Sequence, residues 1–454
     1  MIRQRTHISK RNHFFFISIF SCAIIFNAIF FYFNYSQHLF HFQYYILDQN
    51  KVNSNSTFTH ENKNNAITDK SQPFPIDLVY TWVNSSDTDW IKSYTKERKK
   101  LNLRISNKSF ISRYYYFEEL RYSLRTVEKF ALPMINKIYI VTANQIPSWF
   151  NQDIDIIKFV PHSDIFPPYC SYMKYKEMLK TQKQDEKHQE KCLPTFSSNA
   201  IEFSLVNIPN LSEHFIYIND DMYFGRKVEW SDFYTIDGKP KFISDDKEWK
   251  HARSELKMYQ MKYIDDEQGG KQFSAMVLNT IVTFMNQFKL KNAMNACYSH
   301  IPFPMTKSLI YEIIDTFTED IDDTIQSRFR RANDLQLSNL MIQYGIYKNK
   351  GVKVKSNGKL NRFFVTDTEF GFYRLAPYAR KVPKLFCINA DSDAYQDKIR
   401  GFLENVAGEM SIFEKENLKN QAKSEDKEFW FLNETRKRYD QLKKIYERPA
   451  PRIR

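Results

Sequence analysis

The chain has 454 residues, enough for two to three domains or one large decorated one, and its 42% hydrophobic and 26% charged content excludes wholesale disorder. Its net charge of +13 gathers at the ends, with +4 in residues 1–13 and +6 in residues 435–454, and no basic stripe with interleaved aromatics lies between them, so no nucleic-acid partner is expected. The 10 glycines form neither G-x-G-x-x-G nor a Walker loop, so any nucleotide must be held without a glycine cradle.

Arg3, Arg5, Lys10 and Arg11 precede Phe14–Phe33, an uncharged run (FFFISIFSCAIIFNAIFFYF) that as a helix spans roughly 30 Å, the thickness of a bilayer's hydrocarbon core. The bases in front of it predict a single-pass anchor, with residues 1–13 cytosolic and the bulk lumenal. A cleaved signal peptide fits less well, because the run is long and no small-residue cleavage site follows it. The polar residues 34–75 read as a stem. A lumenal domain is an oxidising setting. There Cys170 and Cys192, which bracket a Lys/Gln/Glu-rich stretch, read as a loop closed by a disulfide, and Cys297 and Cys387 are open to pairing. N-x-S/T acceptors stand at Asn84, Asn107, Asn210 and Asn433.

From Ile76 the texture changes. IDLVYTWV (76–83), KIYIVT (137–142), IDIIKFV (154–160) and FIYIN (215–219) are short β-rich runs bounded by polar residues. Between them Leu120, Leu124, Val127 and Ala131 share one helical face, and Ile201, Leu205 and Ile208 another, after a Ser197-Ser198-Asn199 cap signal. Strands alternating with helices predict an α/β sheet whose ligands sit beyond the carboxyl ends of the strands. Residues 248–350 read mostly helical, with periodicity in 273–288, 305–318 and 335–347. A β-flavoured stretch (359–366), a loop around Cys387–Asp393 and a charged helical arm over 416–454 follow.

Three places carry chemistry. Asn219-Asp220-Asp221 follows the apolar run FIYI, which sets hard oxygen ligands for Mg²⁺ or Mn²⁺ at the mouth of the sheet; an Asx turn or helix cap is the bland alternative. His300 sits in Tyr298-Ser299-His300-Ile301-Pro302-Phe303-Pro304, where two prolines stiffen the loop around an imidazole, though a lone histidine in a Pro-rich turn is commonly a surface residue. Arg328-Phe329-Arg330-Arg331 precedes Asn333-Asp334 and either neutralises phosphate charge or is solvated charge before a helix. Asn84-Ser85-Ser86-Asp87 after the first strand reads equally as a turn, and Trp82 as core or as a base-stacking ring.

IDLVYTWVNSSDTDW, SRYYYFEELRYSLRTVEKF, KIYIVTANQIPSWF, LPTFSSNAIE and LSEHFIYINDDMYFG occur in this order and together closely resemble the first two conserved regions of the Stealth family of sugar-1-phosphate transferases. YSHIPFPMTKSLIYEI with FRRANDLQ resembles the third region, and CINADSDAYQDKIRGFL…SIFE the fourth. The resemblance implies a catalytic domain over 76–415, divisible into a nucleotide-sugar half (76–247), a helical part (248–350) and a closing segment (351–415). It also implies a GT-A-like nucleotide-sugar fold with inserted and C-terminal helical elements. The implied reaction moves a sugar-1-phosphate, on this resemblance N-acetylglucosamine-1-phosphate, from a UDP-sugar to a hydroxyl of a glycan or glycoprotein. UMP leaves, and a divalent metal, Mg²⁺ or Mn²⁺, takes part.

Matched by motif, Asp220 and Asp221 resemble the family's metal positions, with Asp220 catalytic as well. His300 and Arg330 resemble its phosphate-handling pair; Arg331 is the second choice, because the family's Arg-x-x-x-Asp spacing runs from Arg330 to Asp334. Trp82, Asn84, Asp87, Arg121, Ser198, Asn199 and Asn389 take the substrate-binding positions. Tyr115-Tyr116-Phe117, Ala390 and Glu409-Met410 depart from the family pattern. A Golgi or other secretory-pathway membrane is the expected location, and a homo-oligomer stays open. The rival readings are a conventional glycosyltransferase releasing UDP and a non-catalytic glycan-binding homologue.

Overall fold

The computed structural model describes residues 72–103, 118–181, 188–262, 269–366, 374–378, 381–389, 395–408 and 410–415. The apolar run 14–33, the stem up to residue 71, Tyr115–Phe117, Ala390 and the arm 416–454 lie outside the described residues. Among the described residues no helix is long and apolar enough to cross a membrane.

The apolar runs become a five-stranded sheet in the order β3-β2-β1-β4-β8: β1 (Ile76–Thr81), β2 (Ile138–Thr142), β3 (Ile157–Pro161), β4 (His214–Asn219) and β8 (Phe303–Thr306). The first four strands are parallel, and β8 closes one edge antiparallel to β4. β1 and β2 are buried almost throughout, as continuous apolar strands covered on both faces should be. Helices cover the sheet. α1 (Thr88–Lys100) is capped by Asp87, and α2 (Glu119–Phe130) buries Leu120, Leu124 and Val127 against Leu78, Ile138 and Ile140. On the other face a larger core gathers α4 (Ser198–Ser204), α6 (Gly269–Gln287), α7 (Lys307–Thr316), α8 (Thr318–Ile325) and α9 (Leu337–Tyr347), with α3 (Tyr172–Thr181) and α5 (Ala252–Lys262) at its margin. The architecture is mixed α/β, as the alternation of runs predicts.

The chain runs outward from β1 to β2 and β3, then returns to place β4 on the other side of β1. The strand order therefore reverses between β1 and β4, and beyond their carboxyl ends open sheets leave a crevice. Their ends are tied together: Thr81 pairs in register with Asn219, and Thr81 Oγ1 donates to Asn219 Oδ1 at 3.2 Å.

Two small sheets complete the fold. One has the order β10-β11-β5, from β10 (Asn361–Val365), β11 (Leu385–Asn389) and β5 (Met222–Phe224); the other has the order β7-β6-β9, from β7 (Cys297–Tyr298), β6 (Lys241–Asp245) and β9 (Val352–Lys355). Cys387 therefore lies on a strand and not in a loop, because the buried run LFCIN completes β11 between β10 and β5. Cys170 and Cys192 form the expected disulfide, whereas Cys297 and Cys387 are both free thiols held on different sheets.

The segment 410–415 is clasped to α2. Glu414, its side chain fully buried, accepts from Arg125 Nε at 2.7 Å and Nη2 at 2.8 Å, from Arg121 Nε, and from Ser411 N at 3.0 Å. Burial alone would raise this carboxyl, but the arginine bonds outweigh it and hold it down at about 2. A carboxyl depressed in the folded state contributes stability above its unfolded value, about 4.3, and loses it as pH falls toward the folded one. Glu414→Gln is expected to lower stability by about 3 kcal/mol at pH 7, since it leaves the buried Arg125 guanidinium without its anion and Arg121 with Glu118 alone. Urea unfolding should show the gap between variant and wild type closing as pH drops from about 4.3 toward 2.

Candidate active site

The carboxylates sit at the crevice. β4 ends at Asn219, Asp220 and Asp221 follow, and β5 starts at Met222, so both carboxylates are carried on a joint between two sheets. The joint is rigid on its far side, where Asp221 O accepts from Ile388 N at 3.0 Å. Met222 pairs with Cys387, two residues before Asn389 at the end of β11.

Asp221 has two unlike oxygens. Oδ2 accepts from the Cys387 thiol at 3.2 Å, while Oδ1 is buried without a hydrogen-bond partner. Burial first, then the negative charge of Asp221, raise the Asp220 carboxyl above its ordinary value. No basic side chain forms an ion pair with either aspartate among the described residues. Two adjacent carboxylates with an orphaned oxygen fit a divalent cation, which would remove the mutual repulsion and satisfy Oδ1.

His300 lies in the turn between β7 and β8, with φ at +45°. Its Nδ1 is 3.3 Å from Cys387 Sγ, and ligand atoms of Asp221, His300 and Cys387 all lie within 4.8 Å of one another. Burial holds the imidazole below its ordinary value; Asp221 opposes that and Arg330 reinforces it, so both charges act on this ring. Burial, followed by the Asp221 charge, keeps the Cys387 thiol well above its ordinary value.

The three arginines before α9 separate clearly. Arg328 reaches Pro194 O at 3.1 Å, Glu190 O and Glu97, tying the 190–194 segment to α1. Arg331 grips Asp334 Oδ1 at 3.0 Å and Asp323 Oδ2 at 2.9 Å, bracing its own loop. Arg330 instead points its Nη2 at Ser198 Oγ, 2.5 Å away on α4, and its charge opposes the rise that burial imposes on Glu202, whose carboxyl is pushed up to about 7. Glu202 in turn accepts from Tyr217 OH at 3.3 Å, and Tyr217 OH lies 3.1 Å from Thr81 Oγ1 at the end of β1. Asp221 and His300 thus meet through Cys387, with Asp220 beside them in sequence, and Arg330, bonded to Ser198, is near enough for its charge to act on the same imidazole.

The other expected site residues are placed unevenly. Asp87 caps α1, accepting from Asp89 N and Trp90 N at 2.9 Å each, and the Trp90 N–H is the main cause that holds its carboxyl low. Asn84 closes an Asx turn with Ser86 N and exchanges two bonds with Gln145, and Trp82 is buried behind the end of β1. Asn199 is buried against Met276 on α6, and Arg121 belongs to the Glu414 clasp, so neither side chain is brought into the cluster. Ser198 is bonded to Arg330, while Asn389 ends β11 and its carbonyl accepts from Thr366 N and Oγ1.

Cys387 and Glu202 are the residues that motif reading passes over. A lone cysteine inside LFCIN looks like core. Glu202 offered one signal: it lies four residues after Ser198, on the same face of α4.

Fold and cluster together define a mixed α/β protein whose paired aspartates, a histidine and a thiol gather beyond the strand at the switch point of its sheet. The chain belongs to the Stealth family. It matches Stealth protein CR1, conserved region 1, over residues 74–102; CR2, conserved region 2, over 113–176 and 169–242; and CR3, conserved region 3, over 299–347.

It is similar to capsular polysaccharide phosphotransferase fcs1 of Haemophilus influenzae, 32% identical over 61% of this chain and 66% of that one. It is also similar to exopolysaccharide phosphotransferase SCO2592 of Streptomyces coelicolor (32%; 60% and 25%) and to capsular polysaccharide phosphotransferase LcbA of Aeromonas hydrophila (30%; 70% and 79%). The chain therefore spans just under two thirds of the first relative, a quarter of the second and about four fifths of the third. Among solved structures it is similar to galactosyltransferase LgtC with donor and acceptor sugar analogues, at a TM-score of 0.33 and 12% identity over 76% of this chain and 100% of that one. It is similar also to the bifunctional glycosyltransferase WbbM, at 0.31 and 10% over 78% and 52%. Likenesses at that level carry no argument about fold or function.

Proposed function

We propose that the chain transfers a sugar-1-phosphate from a UDP-sugar, N-acetylglucosamine-1-phosphate in the simplest case, to a hydroxyl of a glycan or glycoprotein, and releases UMP. The observation that supports this reading is the grouping of Asp221, His300 and Cys387 just beyond the carboxyl end of β4, with the Arg330 charge acting on the same imidazole; the phosphotransferase names of the Stealth relatives agree with it. A GT-A-like nucleotide-sugar fold is part of the reading, supported by the crevice position and not by the distant glycosyltransferase structures.

Asp220 and Asp221 would hold Mg²⁺ or Mn²⁺, hard cations that suit carboxylate oxygens better than a thiol does. When bound, the cation supplies Lewis-acid charge compensation on the diphosphate. Every other step falls to side chains. The Cys387 thiol donates to Asp221 Oδ2, so its sulfur is left to accept from His300 Nδ1–H, and His300 Nε2 keeps a lone pair. Kept neutral by burial, that nitrogen takes the acceptor hydroxyl's proton as the oxygen forms its bond to the β-phosphorus. The bond from the β-phosphorus to the bridging oxygen breaks, and its electrons leave with UMP. Arg330, held by Ser198, faces the charge that spreads over the phosphoryl oxygens.

The decisive assay incubates the protein with UDP-sugars and Mn²⁺ and identifies the nucleotide product. UMP is expected; UDP would mean attack at the anomeric carbon, as in a conventional glycosyltransferase. Chelation with EDTA is expected to remove turnover, and Mg²⁺ or Mn²⁺ to restore it where Zn²⁺ does not; restoration by Zn²⁺ alone would move the ion to the Cys387 thiol. The same reading places the catalytic domain in the lumen of the Golgi or another secretory compartment on a single-pass anchor. It rests on the 14–33 run and the Cys170–Cys192 disulfide, and protease protection in intact microsomes tests it.

A further inference from the structure

Beside His300 lies a cavity of about 360 Å³, walled by residues of the two small sheets and their connections: Asp245, Ser299, Asn357, Asn361, Arg362 and Phe363. Its volume is in the range of small-molecule sites. It touches the catalytic turn directly: Ser299 precedes His300, and the Phe363 ring centroid is 5.3 Å from that of His300.

The wall is built, not incidental. Ser299 Oγ is buried without a hydrogen-bond partner, so a hydroxyl waits for a ligand atom or water in this wall. Asn361 presents a fixed amide, because its Oδ1 is taken by Ser356 Oγ at 2.9 Å and Asn357 N at 3.2 Å. Arg362 has no ion-pair partner among the described residues; its guanidinium lies on Gly358, where an added Cβ would come within 2.5 Å of Nη2, and 5.7 Å from the Tyr378 ring. Phe363 is 41% exposed, a large apolar ring left open amid polar groups. An aromatic face ringed by a carboxylate, a guanidinium, an amide and a hydroxyl matches a pyranose, which has an apolar C–H face and a rim of hydroxyls. Asp245 and Arg362 carry opposite charges, which favours an uncharged sugar.

We infer that this cavity is the acceptor subsite, which seats a neutral hexose at the end of a glycan with Phe363 under its ring and one hydroxyl turned to His300. The inference rests on the phosphotransfer reading above, since it needs a hydroxyl nucleophile on this side of the histidine and a donor diphosphate on the other.

Two experiments on the full chain test it, using the methyl glycosides of glucose, galactose, mannose and N-acetylglucosamine as probes. In ligand-observed saturation-transfer NMR without donor, at least one glycoside should receive saturation from the wild type, and Phe363→Ala should weaken it; no transfer to any of the four would overturn the subsite. In turnover with UDP-N-acetylglucosamine and Mn²⁺, Phe363→Ala and Arg362→Ala should each raise the KM for that glycoside about tenfold or more with kcat little changed, the pattern for lost ground-state binding. A rise in donor KM instead would make the cavity a donor-sugar site, and unchanged acceptor KM would empty it of function; either result overturns the inference while leaving UMP release intact. Glycoside binding that Phe363→Ala abolishes, with no UMP formed from any UDP-sugar, would sink the phosphotransfer reading and keep the sugar site.

Discussion

Replacing Asp221 with asparagine is expected to lower kcat/KM for phosphoryl transfer by about 10³-fold or more, about 4 kcal/mol of transition-state stabilisation, without lowering the stability of the metal-free protein. Asparagine is nearly isosteric, and its carbonyl oxygen can still accept from the Cys387 thiol, the one hydrogen bond the Asp221 carboxylate receives from a described side chain. What it removes is a negative charge beside Asp220, whose carboxyl that charge helps to raise, and the buried Oδ1 that has no partner. A group kept for folding would be satisfied; this one has an unpaired buried oxygen and a like-charged neighbour, both of which a bound cation would relieve. Thermal melting provides the second readout. The wild type should melt higher in Mn²⁺ than in EDTA, because a ligand that binds only the folded state stabilises it, and the variant should melt alike in both. Full activity in the variant, or a melting point well below the wild type in EDTA, would show that the carboxylate holds the fold and not the ion.

The parallel part of the sheet was legible because buried parallel strands are nearly unbroken apolar runs. IDLVYT, IYIVT and HFIYIN become β1, β2 and β4 within a residue or two of the runs themselves. The helical face Leu120–Leu124–Val127–Ala131 was legible for the same reason, each of these side chains being fully buried. The small sheets were not. β5, β6, β7 and β9 have two to five residues, too few for a period to declare itself, and β8 merges into the apolar pattern of α7 that follows it. α1 also went unread, because TDWIKSYTKERKK is mostly polar; its main local signal is the Asp87 cap, which in sequence looks the same as a turn or a ligand.

For the site, the motifs picked out Asp221 and His300, which lie close to one another, but side-chain competition decides where the other motif residues turn. Asn199 and Ser198 are neighbours in LPTFSSNAIE, yet α4 turns one toward Met276 in the core and the other toward Arg330. Arg121 lies in a matching motif and is bonded to Glu414, 293 residues away, a partnership that linear reading has no means to foresee. Cys387 shows the opposite: only the pairing of β11 with β5 brings its sulfur between Asp221 and His300.

Arg330 and Arg331 are adjacent and chemically identical, and they are expected to fail in different ways. Arg330→Ala should lower kcat by about 10³-fold, within the range for a guanidinium that offsets phosphoryl charge, and Arg330→Lys by about 10²-fold, since an ammonium keeps the charge and loses the planar fork. Neither should melt far below the wild type, because Arg330 bonds the neutral Ser198 hydroxyl, and Glu202 behind it, already pushed up to about 7, can take a proton when the charge is lost. Arg331→Ala should do the reverse. It leaves Asp334, whose carboxyl burial pushes up to about 6 even with Arg331 opposing, as a buried acid without its cation; with Arg331 itself 41% exposed and screened by water, this should lower stability by about 1–2 kcal/mol while kcat stays within a few-fold. Glu202→Gln separates positioning from charge. It removes the carboxylate behind Arg330 but keeps an acceptor for Tyr217 OH, so kcat should fall by about tenfold, and adding it to Arg330→Ala should cost almost nothing further. Steady-state kinetics and melting curves on these four single variants and the one double variant decide the assignment; loss of kcat in Arg331→Ala with Arg330→Ala active would transfer the phosphate-facing role to Arg331.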